Sequence, residues 1–92
     1  MAIMLDGKAM IDRPAAHTHL AQRLDLPAYY GRNLDALYDL LSVCPEQISV
    51  TVIHTDLLLE HLGRYGKSVI RTLQDVSRDN SQITLSIFDE NN

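Results

Sequence analysis

Three short apolar runs constrain this chain more than any other feature of it: AIML at residues 2–5, ISVTVIH at 48–54 and QITLSIF at 82–88. In the middle run Ile48, Val50 and Val52 alternate with Ser49 and Thr51, the period-two pattern of a half-buried strand. The last run alternates in the same way, and the first ends at a DG turn signal. Each gap between runs holds two stretches of helical period and no hairpin turn, so the order reads β-α-α-β-α-α-β. Strands joined through helices pair in parallel, by right-handed crossovers. The expected fold class is therefore α/β, a small layer of three parallel strands packed with four helices, with the strand order left open. The 92 residues fit one domain, 1–92, with one modest core.

The helical stretches carry their own punctuation. In DRPAAHTHLAQRL, Asp12 is placed to cap, Pro14 suits a first turn, and Ala16, Leu20 and Leu24 recur at helical spacing. DLPAYYGR reads as a loop, because Pro27 biases Leu26 away from helix and Gly31 permits unusual backbone angles. Asn33 is placed to cap the second helix, LDALYDLLSV (34–43), in which Leu34, Leu37 and Leu41 share one side and which Pro45 closes. TDLLLEHLG predicts a short helix with Thr55 or Asp56 at its start and Gly63 past its end. KSVIRTLQDVSR (67–78) predicts a longer one with Val69, Ile70, Leu73 and Val76 facing inward.

The second helix sets two carboxylates, Asp35 and Asp39, four residues apart. At 100° per residue, Asp35, Asp39 and Ser42 form a polar strip separate from the leucines. Tyr38 falls between the two, with its ring on the core edge and its hydroxyl expected beside both carboxylates. Like charges at this spacing repel by about 0.2–0.5 kcal/mol. Asp35 is in the first turn, where the helix dipole favours it, but Asp39 is past that turn. No lysine or arginine stands at 36, 42 or 43 to neutralise the pair. Solvated surface acids beside a boundary aromatic would be the bland account of such a helix, and Asp39 is the residue that strains it.

Several function classes drop out. The net charge is −4, with only Lys8 and Lys67 as lysines, so there is no basic face for nucleic acid; a basic protein partner remains open, since an acidic surface speeds association with a cationic one. No run of 18 apolar residues exists to span a membrane, and MAIMLDGKAM lacks the layout of a signal peptide. The single cysteine, Cys44, cannot form an internal disulfide and reads as a structural thiol, so a reducing cytoplasm is the expected compartment. His17, His19, His54 and His61 do not pair at i, i+4 and are expected at the surface or its boundary, with no metal and no cofactor. Two carboxylates on one exposed strip do not flank a cleft as glycosidase acids do, so an enzyme is not expected.

LPAYYGRNLDALYDLL (26–41) resembles the central motif of the barstar-related family of intracellular ribonuclease inhibitors. The similarity covers most of the chain, including the opening strand with its DG, Gly66 ahead of a helix bearing Asp75, and the closing ITLSI. The resemblance implies an inhibitor, monomeric when free, whose second helix (33–43) and preceding loop plug the active site of a basic secreted or toxin ribonuclease of barnase type. By position it implies partner-binding roles for Tyr29, Asn33, Asp35, Tyr38, Asp39, Ser42 and Asp75. Tyr29 would pack on the enzyme. Asp35 and Asp39 would meet its basic catalytic groups, with Asp39 where the substrate phosphate goes. Asp75 stands where the family has glutamate, and its competing reading is a surface pair with Arg71. Other departures are Tyr38 for a tryptophan, Arg32 for an acidic residue, and Val43 and Cys44 for a glycine and an aromatic. Two rival readings are an immunity or antitoxin protein against a different toxin class and a housekeeping α/β interaction domain.

Overall fold

The computed structural model describes residues 1–88. It runs β1 (Ala2–Asp6), a 3-10 turn (Gly7–Ala9), α1 (Arg13–Arg23), α2 (Leu34–Ser42), β2 (Ile48–Ile53), α3 (Thr55–Leu62), α4 (Arg64–Asp79) and β3 (Ile83–Ile87). The three strands form one parallel sheet in the order β1-β2-β3, which the sequence left open. The register sets Ile3 beside Val50 and Leu85, and Leu5 beside Val52 and Ile87.

Among the described residues only one face of this sheet is covered. Ile3, Leu5, Ile48, Val50, Val52 and Ile83 point into the core, while Ala2, Met4, Ser49, Thr84 and Ser86 face solvent. Parallel sheets are commonly covered on both faces. Here the strands are laid down in chain order, so right-handed crossovers carry every helix to the same side. The apolar–polar alternation of the sequence is the direct record of that one-sidedness. The exposed edge of β1 is closed by side chains of α1: Arg23 Nε donates to the Met4 carbonyl at 3.0 Å, and His19 Nε2 accepts from the Asp6 amide at 2.9 Å.

The helices start and stop where their local signals say, with two exceptions. Asp12 caps α1, its carboxylate accepting from the Ala15 amide at 2.9 Å. Helix α2 ends at Ser42, one residue short of the expected Val43. Helix α4 begins at Arg64, three residues before the expected Lys67, because Gly63 alone turns the chain between α3 and α4. Gly63 sits at φ 57°, ψ −127°, open to glycine and costly for other residues. Gly66 then lies inside the helix. A Cβ there would come within 2.9 Å of Leu58 Cδ2 and 3.1 Å of the Leu58 carbonyl, so this glycine lets α4 settle closely on α3. In the described residues no helix is long and apolar enough to cross a membrane.

The core joins Leu5, Val50 and Val52 of the sheet to Leu20 of α1, Leu37 of α2, Leu58 of α3, and Val69 and Val76 of α4, all fully buried. Burial of such side chains contributes about 1.5–3 kcal/mol each. Helix α2 packs on α4 and so lies on the outside of the helical layer, with its opposite face free.

Candidate functional site

That free face is built from one strip. Leu37 and Leu41 are buried, Leu34 and Tyr38 are half-buried, and Asp35, Asp39 and Val43 are exposed. Asp35, Asp39 and Val43 recur every four residues and stack along one side. Among the described residues no lysine, arginine or histidine lies within 4.0 Å of either carboxylate. Just ahead, the loop presents Tyr29, 80% exposed, the most open of the large apolar side chains. Tyr29 and Val43 stand at the rim of an apolar cleft walled by Leu26, Pro27, Leu40 and Cys44.

The strip is held at both ends. At the N-terminus Asn33 is the cap: its Oδ1 accepts from the Ala36 amide at 2.8 Å, and its Nδ2 donates to the Gly31 carbonyl at 3.2 Å. Tyr30 turns inward and is 7% exposed, and its hydroxyl lies 2.6 Å from Nδ1 of His17. The other ring nitrogen of His17 lies 2.6 Å from the Tyr65 hydroxyl on α4. The Tyr30 hydroxyl is also 3.5 Å from the Asn33 carbonyl. With that hydroxyl donating to Asn33, Nδ1–H donates to Tyr30 and Nε2 accepts from Tyr65, which satisfies a neutral imidazole completely. His17 is thus a buried bridge from α1 to the loop and to α4, and the expectation of a surface or boundary histidine is corrected. Burial, and then the charges of Arg32 and Arg13, push its pKa below the ordinary histidine value. Burial, helped by Tyr65 and opposed by Arg32, pushes the Tyr30 phenol up to about 12.

At the C-terminus of α2 the clamp is Asn80. Its Nδ2 donates to the Leu41 carbonyl at 2.8 Å and to the Cys44 carbonyl at 3.0 Å, satisfying groups that a helix end leaves open. The Ser42 hydroxyl turns back to the Asp39 carbonyl at 3.2 Å.

Two side-chain expectations change. The Tyr38 hydroxyl does not sit beside Asp35 and Asp39; it donates to Asp79 Oδ2 on α4 at 2.6 Å. That hydrogen bond is the main reason its pKa is raised. Asp75 does not pair with Arg71. Its partner is Arg78, at 3.0 Å, which also bonds Asp79 at 2.9 Å. The bond from Arg78, then that from Tyr38, holds the Asp79 carboxyl below the usual range. Tyr38, Asp75, Arg78 and Asp79 therefore form one network beside the strip, with its negative charge partly neutralised by Arg78.

The structure brings Tyr29, Asp35 and Asp39 to one open face, sets Asn33 and Ser42 at the two ends of α2, and puts Tyr38 and Asp75 in the flanking network. Sequence reasoning missed Asp79 and Asn80. Val43, noted from the resemblance only as a departure at a contact position, continues the i, i+4 series of the two aspartates. Asp79 lies one turn beyond Asp75, but its bond to Tyr38 spans 41 positions.

Comparison with known proteins adds two findings. The sequence model of one family, described as Barstar (barnase inhibitor), matches residues 1–90. A protein of Bacillus subtilis (strain 168) named "Putative ribonuclease inhibitor YrdF" is 31% identical over 78 residues, covering 84% of this chain and 86% of that protein.

Proposed function

The chain belongs to the barstar family, whose members are inhibitors rather than enzymes, and from that premise we propose that it blocks a barnase-like ribonuclease with the exposed strip of α2 and the loop before it. The observation that carries the reading is the pair of unpaired carboxylates, Asp35 and Asp39, on a helix clamped at both ends. A helix fixed before the encounter loses little conformational entropy on binding. Two aspartates without cations of their own gain most from a partner that supplies them. Asp39 takes the place of the substrate phosphate and accepts paired hydrogen bonds from arginine. Tyr29 lays its ring on the enzyme, and Val43 with the cleft behind it receives apolar side chains at the other end. The same reading has the protein monomeric in the cytoplasm until it meets the enzyme.

The test is a titration of barnase activity with the parent and with Asp39→Ala. Truncating one side of a desolvated charge pair costs about 2–5 kcal/mol, so inhibition should weaken by roughly 30-fold to several-thousand-fold while the circular dichroism stays that of the parent. An Asp39→Ala protein that titrates the enzyme as tightly as the parent removes α2 from the mechanism.

A further inference from the structure

Beside the acidic strip lies a notch of opposite sign. It is lined by Arg13, Arg32, His17, Tyr65 and the start of α2, Asp35 included. In a chain of net charge −4, two of the eight lysines and arginines converge here. Among the described residues neither has a carboxylate within 4.0 Å, Asp35 included. Both are nevertheless anchored. Arg32 adopts a left-handed backbone, φ 55°, and its Nη2 donates to the Pro14 carbonyl and to Thr18 Oγ1, each at 2.8 Å. The guanidinium of Arg13 rests 4.1 Å above the ring of Tyr65. Two cations held in place with no anion among the described residues are open to a further acceptor. Arg32 keeps Nε and Nη1 for a further acceptor.

We propose that Arg32, backed by Arg13, is a specificity-determining residue, selecting a ribonuclease that presents a carboxylate opposite this notch and discriminating against one that is basic there. The inference rests on the reading that α2 faces the enzyme, because the notch then lies at the margin of the same contact. Its physical basis is that covering a fixed, unpaired guanidinium with like charge costs affinity, whereas covering it with a carboxylate does not. The contact surface required of the partner is therefore two-signed, cationic opposite Asp35 and Asp39 and anionic opposite Arg32.

Barnase is the probe, as the enzyme named in the family's description and the one expected to be basic around the contact. Inhibition is measured for the parent, Arg32→Glu, Arg13→Glu and Asp39→Ala. Replacing a positive by a negative charge at the margin should tighten inhibition of barnase by about tenfold at low ionic strength, and the gain should shrink as salt rises. Arg13→Glu repeats the test without breaking the Arg32 anchor, and an acid at the start of α1 suits its dipole. If both reversals leave inhibition of barnase unchanged or weaken it, the specificity role is overturned. Asp39→Ala separates that failure from failure of the function: loss of inhibition in Asp39→Ala with no gain in either reversal removes the notch from specificity and leaves the inhibitory strip intact. Absence of barnase inhibition by the parent and by both reversals overturns both.

Discussion

Adjacent tyrosines in the loop before α2 do opposite things. Tyr29 is 80% exposed and Tyr30 7% exposed. Cutting Tyr30 to alanine should cost about 3–5 kcal/mol of unfolding free energy, as buried aromatics do. Tyr29→Ala should change stability by less than about 0.5 kcal/mol while weakening binding of the ribonuclease by more than about 1 kcal/mol. Urea unfolding and enzyme titration on both variants decide it; a Tyr29→Ala protein that unfolds early and binds normally would reverse the assignment. From the sequence, Tyr30 is expected to face away from Tyr29 into the core; the structure sets this with a turn in which the Tyr30 amide donates to the Pro27 carbonyl at 2.9 Å. The role of His17 was not legible. A histidine amid a polar helix gives no sign of burial, and its partners lie 13 and 48 positions away. Its pKa is lowered, so the fold favours the neutral ring. That contribution is complete above the unfolded-state value near 6.5 and is lost as pH falls below it. His19 has the same sign, lowered first by burial and then by Arg23. Stability measured by urea should therefore fall from pH 7.5 to pH 5, and the fall should be smaller in His17→Gln. A parent equally stable at both values contradicts the buried neutral ring.

Among the elements, α2 shows how far local signals reach. Its N-cap, its leucine side and its acidic strip all follow from residues within a few positions of one another, and the sequence displays them. Its C-terminal clamp does not follow, because Asn80 reaches Leu41 and Cys44 across 39 and 36 positions from the far end of α4. Asn80→Ala removes both bonds and leaves part-buried carbonyls without their partner, at a cost of about 1–3 kcal/mol. Hydrogen exchange should show the faster amides at the C-terminal end of α2 and at Val43 and Cys44. Protection unchanged there would mean that water substitutes fully for the amide. The early start of α4 escaped the sequence for a related reason. Gly63 and Gly66 look alike as breakers, yet Gly63 turns the chain and Gly66 makes room for Leu58, a distinction visible only once α3 and α4 are packed.

At the scale of the molecule, an acidic strip on α2 lies next to a cationic notch at the start of α1. Association with barnase should slow as salt rises, because the screening length falls to about 8 Å at physiological ionic strength. Stopped-flow rates that stay flat between low and high salt would contradict steering by the strip. Removing both notch cations in Arg13→Glu/Arg32→Glu should steepen the dependence. The number and direction of the strands could be read from the sequence, since alternation and helical spacers are local. Their spatial order could not, because it depends on which side each crossover returns. That order, together with the Asn80 clamp, bears on how the protein is made. On the ribosome, α2 emerges in the first half of the chain, but the helix on which it packs and the amide that closes its end come from residues 64–80. The surface proposed to meet the enzyme is therefore completed only once residue 80 has left the ribosome. On the proposed reading, a chain cut before residue 64 would carry every α2 residue of the contact and still lack the packing and the end clamp that hold them in place.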